Sequence, residues 1–215
     1  MKKLLAKELK LAMHTTAPLF LMLSAMLLIP NYPYYVIFFY TSLAVFFTCL
    51  TGRENNDVFY TMLLPVKKTD IVKGRYAFVI ILELAQFITA IPFAVLRQHF
   101  PIAPNQVGMN ANISLFGLAF IMIGIFNVVF FKVYYSDVRK VGKSFVLSSV
   151  AIFTFMIIAE VLVHIIPFFR DVLDTYDNVY IPQKLTVLAI GIIIYILSTS
   201  ISYASSKKSF EIYDL

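Results

Sequence analysis

Within the apolar run Tyr76 to Leu96 (YAFVIILELAQFITAIPFAVL) stands a single acid, Glu83. A carboxylate at bilayer depth costs about 2.5–3.5 kcal/mol on insertion scales unless it is neutralised, paired or wetted, so its presence calls for a role. Two roles fit: a charge on a translocation pathway or dimer seam, and a polar clamp between helices. Gln86 lies at i+3, and Asn127 falls at comparable depth in the next apolar run, which is what a clamp needs. Glu160 and His164 form a second pair, spaced i and i+4 on one helical face. They either neutralise each other by sharing a proton or line a route near its outer gate. Counted from the inner ends of their runs, Glu83 sits roughly 10 Å deep and Glu160 roughly 22 Å deep at 1.5 Å per residue. Those depths do not suit two acids sharing one catalytic proton.

Other chemistries have less to work with. His14, His99 and His164 fall at different membrane levels or sides, against a metal cluster. Neither H-E-x-x-H nor G-x-S-x-G occurs. Gly142-Lys143-Ser144 has the ending of a phosphate loop, but Asp137 occupies the place of its first glycine and no α/β domain surrounds it, so Lys143 reads as an anchor opening a span. The lone cysteine, Cys49, excludes a disulfide framework. This chain is therefore expected to bind no metal, cofactor or nucleotide of its own.

The elements that must carry these residues follow from composition. The chain has 215 residues, 60% of them hydrophobic and 16% aromatic. Its mean hydropathy is +0.82. That is an all-α integral membrane protein, with no length left for a soluble catalytic domain of about 100–150 residues. Six runs suffice to cross a hydrocarbon core about 30 Å thick: 15–30, 34–52, 76–97, 113–132, 145–167 and 184–205. The first is short. Lys2 and Lys3 before an apolar stretch imitate a signal peptide, but no small-residue cleavage site follows, so the segment reads as retained. Segments 1–14, 53–75, 132–144 and 206–215 hold 15 of the 18 Lys and Arg residues, which predicts both termini and the two basic loops in the cytoplasm of a multi-pass membrane protein. The net charge of +6 then reflects topology, and no nucleic-acid partner is expected.

Several connections carry further detail. Lys3, Lys7, Lys10 and His14 recur on one helical face opposite Leu4, Leu5, Leu9 and Ala12, the pattern of an interfacial helix with cations toward headgroups. The loop 53–75 holds the apolar cluster Met62-Leu63-Leu64, then Pro65, then a helix start at Thr69 with Asp70 at the positive end of its dipole. A short helix there suits docking to a second protein or resting on lipid. On the opposite side, Asp171, Asp174 and Asp177 form either a solvated loop or an acidic rim for a basic substrate. Ser198, Ser202 and Ser206, and Ala90 and Ala94 around Pro92, mark close helix contacts within one subunit or between two. Asn112-Ile113-Ser114 matches a glycosylation acceptor by chance.

The stretch FYTMLLPVKKTDIVKGRYAFVI resembles the loop signature of small six-span permeases of type 2 ATP-binding-cassette exporters: Leu-Pro-Val, then an acid with Ile-Val, then a basic residue with Tyr. The ending SYASSKKSFEIYDL is similar to the end of the same family, and the likeness covers essentially the whole chain. It implies that Leu64, Pro65, Val66, Asp70, Ile71, Val72, Arg75 and Tyr76 form a cytoplasmic coupling helix that meets a separate ABC ATPase, which binds ATP and Mg. It also implies a second permease subunit, identical or paralogous, in a bacterial plasma membrane. A nearby subgroup resembles exporters of amphipathic peptides such as phenol-soluble modulins, or of antimicrobial peptides. A membrane immunity or sensor protein and a proton-coupled carrier using Glu83 and Glu160 are the alternatives.

Overall fold

A computed structural model describes residues 2–100 and 104–213, and it is helical with no strand among them. The chain runs through α1 (Lys2–Lys7), continued by a π-helical turn (Glu8–Ala12), then α2 (Ala17–Met22), continued by a 3₁₀ segment (Leu23–Leu28). There follow α3 (Tyr35–Glu54), the short α4 (Asp57–Met62), α5 (Lys68–His99), α6 (Ile113–Tyr134), α7 (Val141–Ile165), a π-helical turn (Phe169–Leu173) and α8 (Ile181–Ile212). Five of these, α3 and α5 to α8, are long and apolar enough to cross a membrane. The N-terminal pair, Lys2–Ala12 and Ala17–Leu28, passes the same test together but is bent by 83°. This is an all-α membrane protein with five to six membrane-length helices.

The bend sets the N-terminal helix nearly perpendicular to the segment Ala17–Leu28. Six α-helical and six 3₁₀ residues reach only about 21 Å, at 1.5 and 2.0 Å per residue. The first span is thus shorter than a hydrocarbon core, and the 3₁₀ segment stretches it. Its inner side is anchored by polar contacts: Gln86 Nε2 donates to Ser24 Oγ at 2.8 Å, and Ser24 and Thr89 hydroxyls lie 3.2 Å apart. Gln86 therefore serves the first span, with Ala90 and Ala94 buried on the same helix.

α6 sits centrally, against α7 on one side and α8 on the other. The approach to α8 is close because glycines permit it: a Cβ on Gly191 would fall on the Gly117 carbonyl, and one on Gly117 would lie 2.7 Å from the Val187 carbonyl oxygen. A Cβ on Gly124 would meet Ser198 at 3.2 Å. Ser202 Oγ donates to the Asn127 carbonyl at 2.6 Å, and the Ser202 and Ser206 hydroxyls bond Tyr76 Oη at 2.7 and 2.9 Å. The serine stripe of the last helix is thus a seam within the subunit.

Aromatic rings fill the remaining core. Phe87 stacks on Phe120 with centroids 3.7 Å apart, and Tyr76 contacts Phe131, Tyr135 and Tyr203. The outer faces of α7 and α8 stay apolar and exposed, as membrane-facing surfaces are.

Candidate functional site

The basic end of the bundle gathers α1, the C-terminal end of α3, α4 and the first turns of α5. The helix expected to start at Thr69 starts within a residue of it, but with another cap and without ending before the span. α5 begins at Lys68, with Lys67 as an N-cap that makes no side-chain bond, and runs without interruption to His99. The separate short helix in this loop is α4, one stretch earlier. Gly74, unfavourable in a helix interior, is accounted for by packing: a Cβ there would meet Leu4 Cβ at 3.3 Å.

The eight residues assigned to coupling divide by exposure. Leu64 and Pro65 project at the tip together with Leu63, and Val66 and Asp70 are half-buried. Ile71, Val72, Arg75 and Tyr76 are buried and tie the segment into the bundle. Arg75 Nε lies 2.9 Å from Glu8 Oε2, an ion pair without hydrogen-bond alignment, and Arg75 Nη2 donates to Asp57 Oδ2 at 2.8 Å. Lys7 Nζ completes the cluster, 3.2 Å from Glu8 Oε1 and 2.8 Å from Asp57 Oδ1. Lys7 thus turns to an acid of the bundle where its spacing placed it among headgroups. Leu5 packs against the core, Leu4 lies beside Gly74 and Ala12 is buried, while Leu9, the fourth residue of that face, stays exposed. Glu8 and Asp57 had escaped the sequence reading. The available signal was Glu8 itself, an acid on the same helical face as Leu4, Leu5 and Ala12.

At mid-depth, Glu83 is 1% exposed. Its Oε2 accepts from Tyr195 Oη at 2.6 Å and from Asn127 Nδ2 at 3.2 Å, and Asn127 Nδ2 also reaches Thr199 Oγ1 at 3.1 Å. Three helices, α5, α6 and α8, meet at this carboxylate. Glu83 Oε1 has no hydrogen-bond partner among the described residues.

At the end opposite the basic one, Glu160 and His164 bond the 104–112 loop and not each other. Glu160 Oε2 accepts from the Met109 amide at 2.9 Å, and His164 Nε2 lies 3.4 Å from the Val107 carbonyl. Gly108 leaves room for this carboxylate, since a Cβ on it would push the Glu160 side-chain end aside. The supposed acidic rim is also largely structural. Asp174 accepts from the Asn110 amide at 2.6 Å, Asp177 accepts from Gln98 Nε2 at 2.6 Å and from the Ile113 amide at 2.9 Å, and only Asp171, paired with Arg170, is exposed. Asn112 caps α6, and its Nδ2 donates to the Leu173 carbonyl at 2.8 Å, so its amide nitrogen is buried and engaged where glycosylation would need it free.

Burial raises the Asp174 carboxyl from its ordinary value near 3.8 to about 6, with the Asn110 bonds working against that shift. Glu160, His164 and Lys184 are titratable groups facing it. Because the folded loop takes up this proton at higher pH than the unfolded chain does, the contribution to stability is full below about pH 4 and is lost as pH rises through about 6. Hydrogen-exchange protection of the Asn110 amide, corrected for intrinsic rate, is expected to fall between about pH 4 and about pH 6, and Asp174→Asn to flatten that dependence.

No group of His, Cys, Asp and Glu among the described residues has the arrangement of a metal site. Gly142 to Ser144 form the first turn of α7, with Ser144 Oγ donating to the Lys140 carbonyl. This is an arrangement of five to six membrane-length apolar passages with an exposed, internally braced loop at the basic end. The family model described as ABC-2 family transporter protein matches residues 3–211. The chain belongs to the ABC-2 transporter family. It is thus the multi-pass membrane component of an ABC transporter, a family whose membrane components are generally non-catalytic and work with an ABC ATPase. Searches of curated proteins and of solved structures returned no significant match.

Proposed function

We propose that this ABC-2 permease is an exporter subunit that moves an amphipathic or hydrophobic substrate, of the class of membrane-active peptides, outward. A separate ATPase supplies ATP hydrolysis by docking on the segment from Leu63 to Val72, and a second permease subunit, identical or paralogous, completes the path. The basic end then faces the cytoplasm of a bacterial cell, with both termini there.

The observation that carries this reading is the tip of the coupling loop. Leu63 is 67% exposed and Leu64 53%, beside exposed Pro65 and Lys67 at the charged end of the bundle. Fully burying one such leucine gains roughly 1.5–3 kcal/mol, and the stems behind the tip are held by buried contacts, so it is preorganised for a partner. An amphipathic substrate is supported by a cleft of about 400 Å³ between α5, α6 and α8, walled by apolar residues such as Ile88, Phe116 and Ile192. Gln98, Asn112 and Asp177 stand among its lining residues.

The test is co-expression with the cognate ATPase. The native chain is expected to co-purify with it and to stimulate ATP hydrolysis when substrate is added. Leu63→Asp with Leu64→Asp, both on exposed positions, is expected to leave the chain folded in the membrane while both properties fall by about tenfold or more, since each 1.4 kcal/mol of lost contact is tenfold. Docking and coupled hydrolysis that persist in this variant would overturn the assignment.

A further inference from the structure

The charged cluster at the basic end joins three segments that sequence keeps far apart. Glu8 comes from the turn following α1, Asp57 opens α4, and Arg75 lies in the third turn of α5. Glu8 is 2% exposed and Arg75 4%, and Lys7 also bonds Thr61 Oγ1 at 3.0 Å. Two cations and two anions alternate around a closed ring, which is neutral as a whole. Surface ion pairs hold geometry weakly, whereas an alternating ring built on the buried Arg75 and Glu8 resists mismatch, because each mismatch leaves a charge unpaired.

The ring has a particular place. Asp57 and Arg75 lie on the two stems of the loop whose tip is Leu63 to Pro65, so their contact closes the base of that loop. Glu8 and Lys7 fasten the N-terminal helix to both stems at once. That helix leads through its 83° bend directly into the first span.

We infer that Glu8 is a positioning residue for coupling: through Arg75 it makes the N-terminal helix move with the ATPase-docking loop, so that displacement of the tip reaches the first span as well as α5. This rests on the reading of the loop as the ATPase dock. The structure also supplies a way to replace the ionic joint by a covalent one. The Cβ of Leu4 lies 3.3 Å from where a Cβ on Gly74 would stand, near the 3.5–4.5 Å of a disulfide.

The experiment uses the chain with its ATPase, in a Cys49→Ser background that removes the single free cysteine. Glu8→Gln is expected to keep ATPase binding and ATP hydrolysis within about twofold while substrate transport falls about tenfold, and Glu8→Asp to keep most of it. Adding Leu4→Cys with Gly74→Cys to Glu8→Gln is expected to restore transport on oxidation and lose it again on reduction, which a merely structural role would not produce. Unchanged transport in Glu8→Gln, or failure of the oxidised pair to restore it, overturns the inference. Cross-linking judges the joint apart from the dock. Should no ATPase bind the native chain, the functional reading fails, while a cross-linking rate slowed about tenfold by Glu8→Gln still supports the joint and an unchanged rate sinks it.

Discussion

Glu83→Leu is expected to destabilise the protein by about 2–4 kcal/mol, whereas Glu83→Gln leaves a folded, active chain. The arithmetic starts from the two donors aimed at Oε2. Removing the carboxylate leaves the Tyr195 hydroxyl without its acceptor at a buried site and takes from Asn127 one of its two Nδ2 contacts. A buried donor left unpaired costs about 1–3 kcal/mol, and interhelical hydrogen bonds in membranes average about 0.6 kcal/mol, with maxima near 1.7. Gln keeps an acceptor oxygen at the same reach, so the junction of α5, α6 and α8 persists. Thermal denaturation of the detergent-purified variants, alongside a transport assay, separates the roles. Loss of transport in a Glu83→Gln protein of native stability would instead assign the charge to the pathway.

The apolar runs were legible because a bilayer imposes one demand that no tertiary context relaxes: about 20 consecutive apolar residues with their backbone bonds made internally. The same logic explains the short first span, since sequence periodicity carries no sign that Leu23–Leu28 adopts 3₁₀ geometry. The contacts of Glu83 were half legible. Asn127 is indeed its partner, but Tyr195 is 112 positions away and Gln86, adjacent by helical spacing, turns toward Ser24. Helical spacing names neighbours on one face and says nothing about which helix that face meets.

Loops were read less well, for a related reason. Asp174 and Asp177 look solvated in a linear sequence because Asn110 and Gln98, which bond them, are 64 and 79 residues distant. The helix start at Thr69 followed local capping rules, yet α5 continues through Gly74 because Leu4 packs against it, a tertiary gain that offsets the helix penalty of glycine, about 1 kcal/mol. No spacing rule connects positions 8, 57 and 75, and so the best-braced part of the loop at the basic end was the part that sequence hid.

That bracing sets the second large effect. Arg75→Leu leaves the carboxylates of Glu8 and Asp57 with Lys7 as the one remaining cation of the ring, and breaking a buried pair by removing one partner costs about 3–5 kcal/mol. Arg75→Lys is expected to fall between Leu and native. It keeps the charge, but the native guanidinium places Nε on Glu8 and Nη2 on Asp57 simultaneously, and a single ammonium on a flexible stem has no such fork. Neutralising the acids as well, with Glu8→Gln and Asp57→Asn added to Arg75→Leu, is expected to recover most of the loss, because the penalty lies in the unpaired charges more than in the missing attraction. The denaturation midpoints of the single and triple variants decide it: a triple variant as unstable as Arg75→Leu would mean that Arg75 acts through packing of its buried side chain, beside Cys49, and not through the charges it joins.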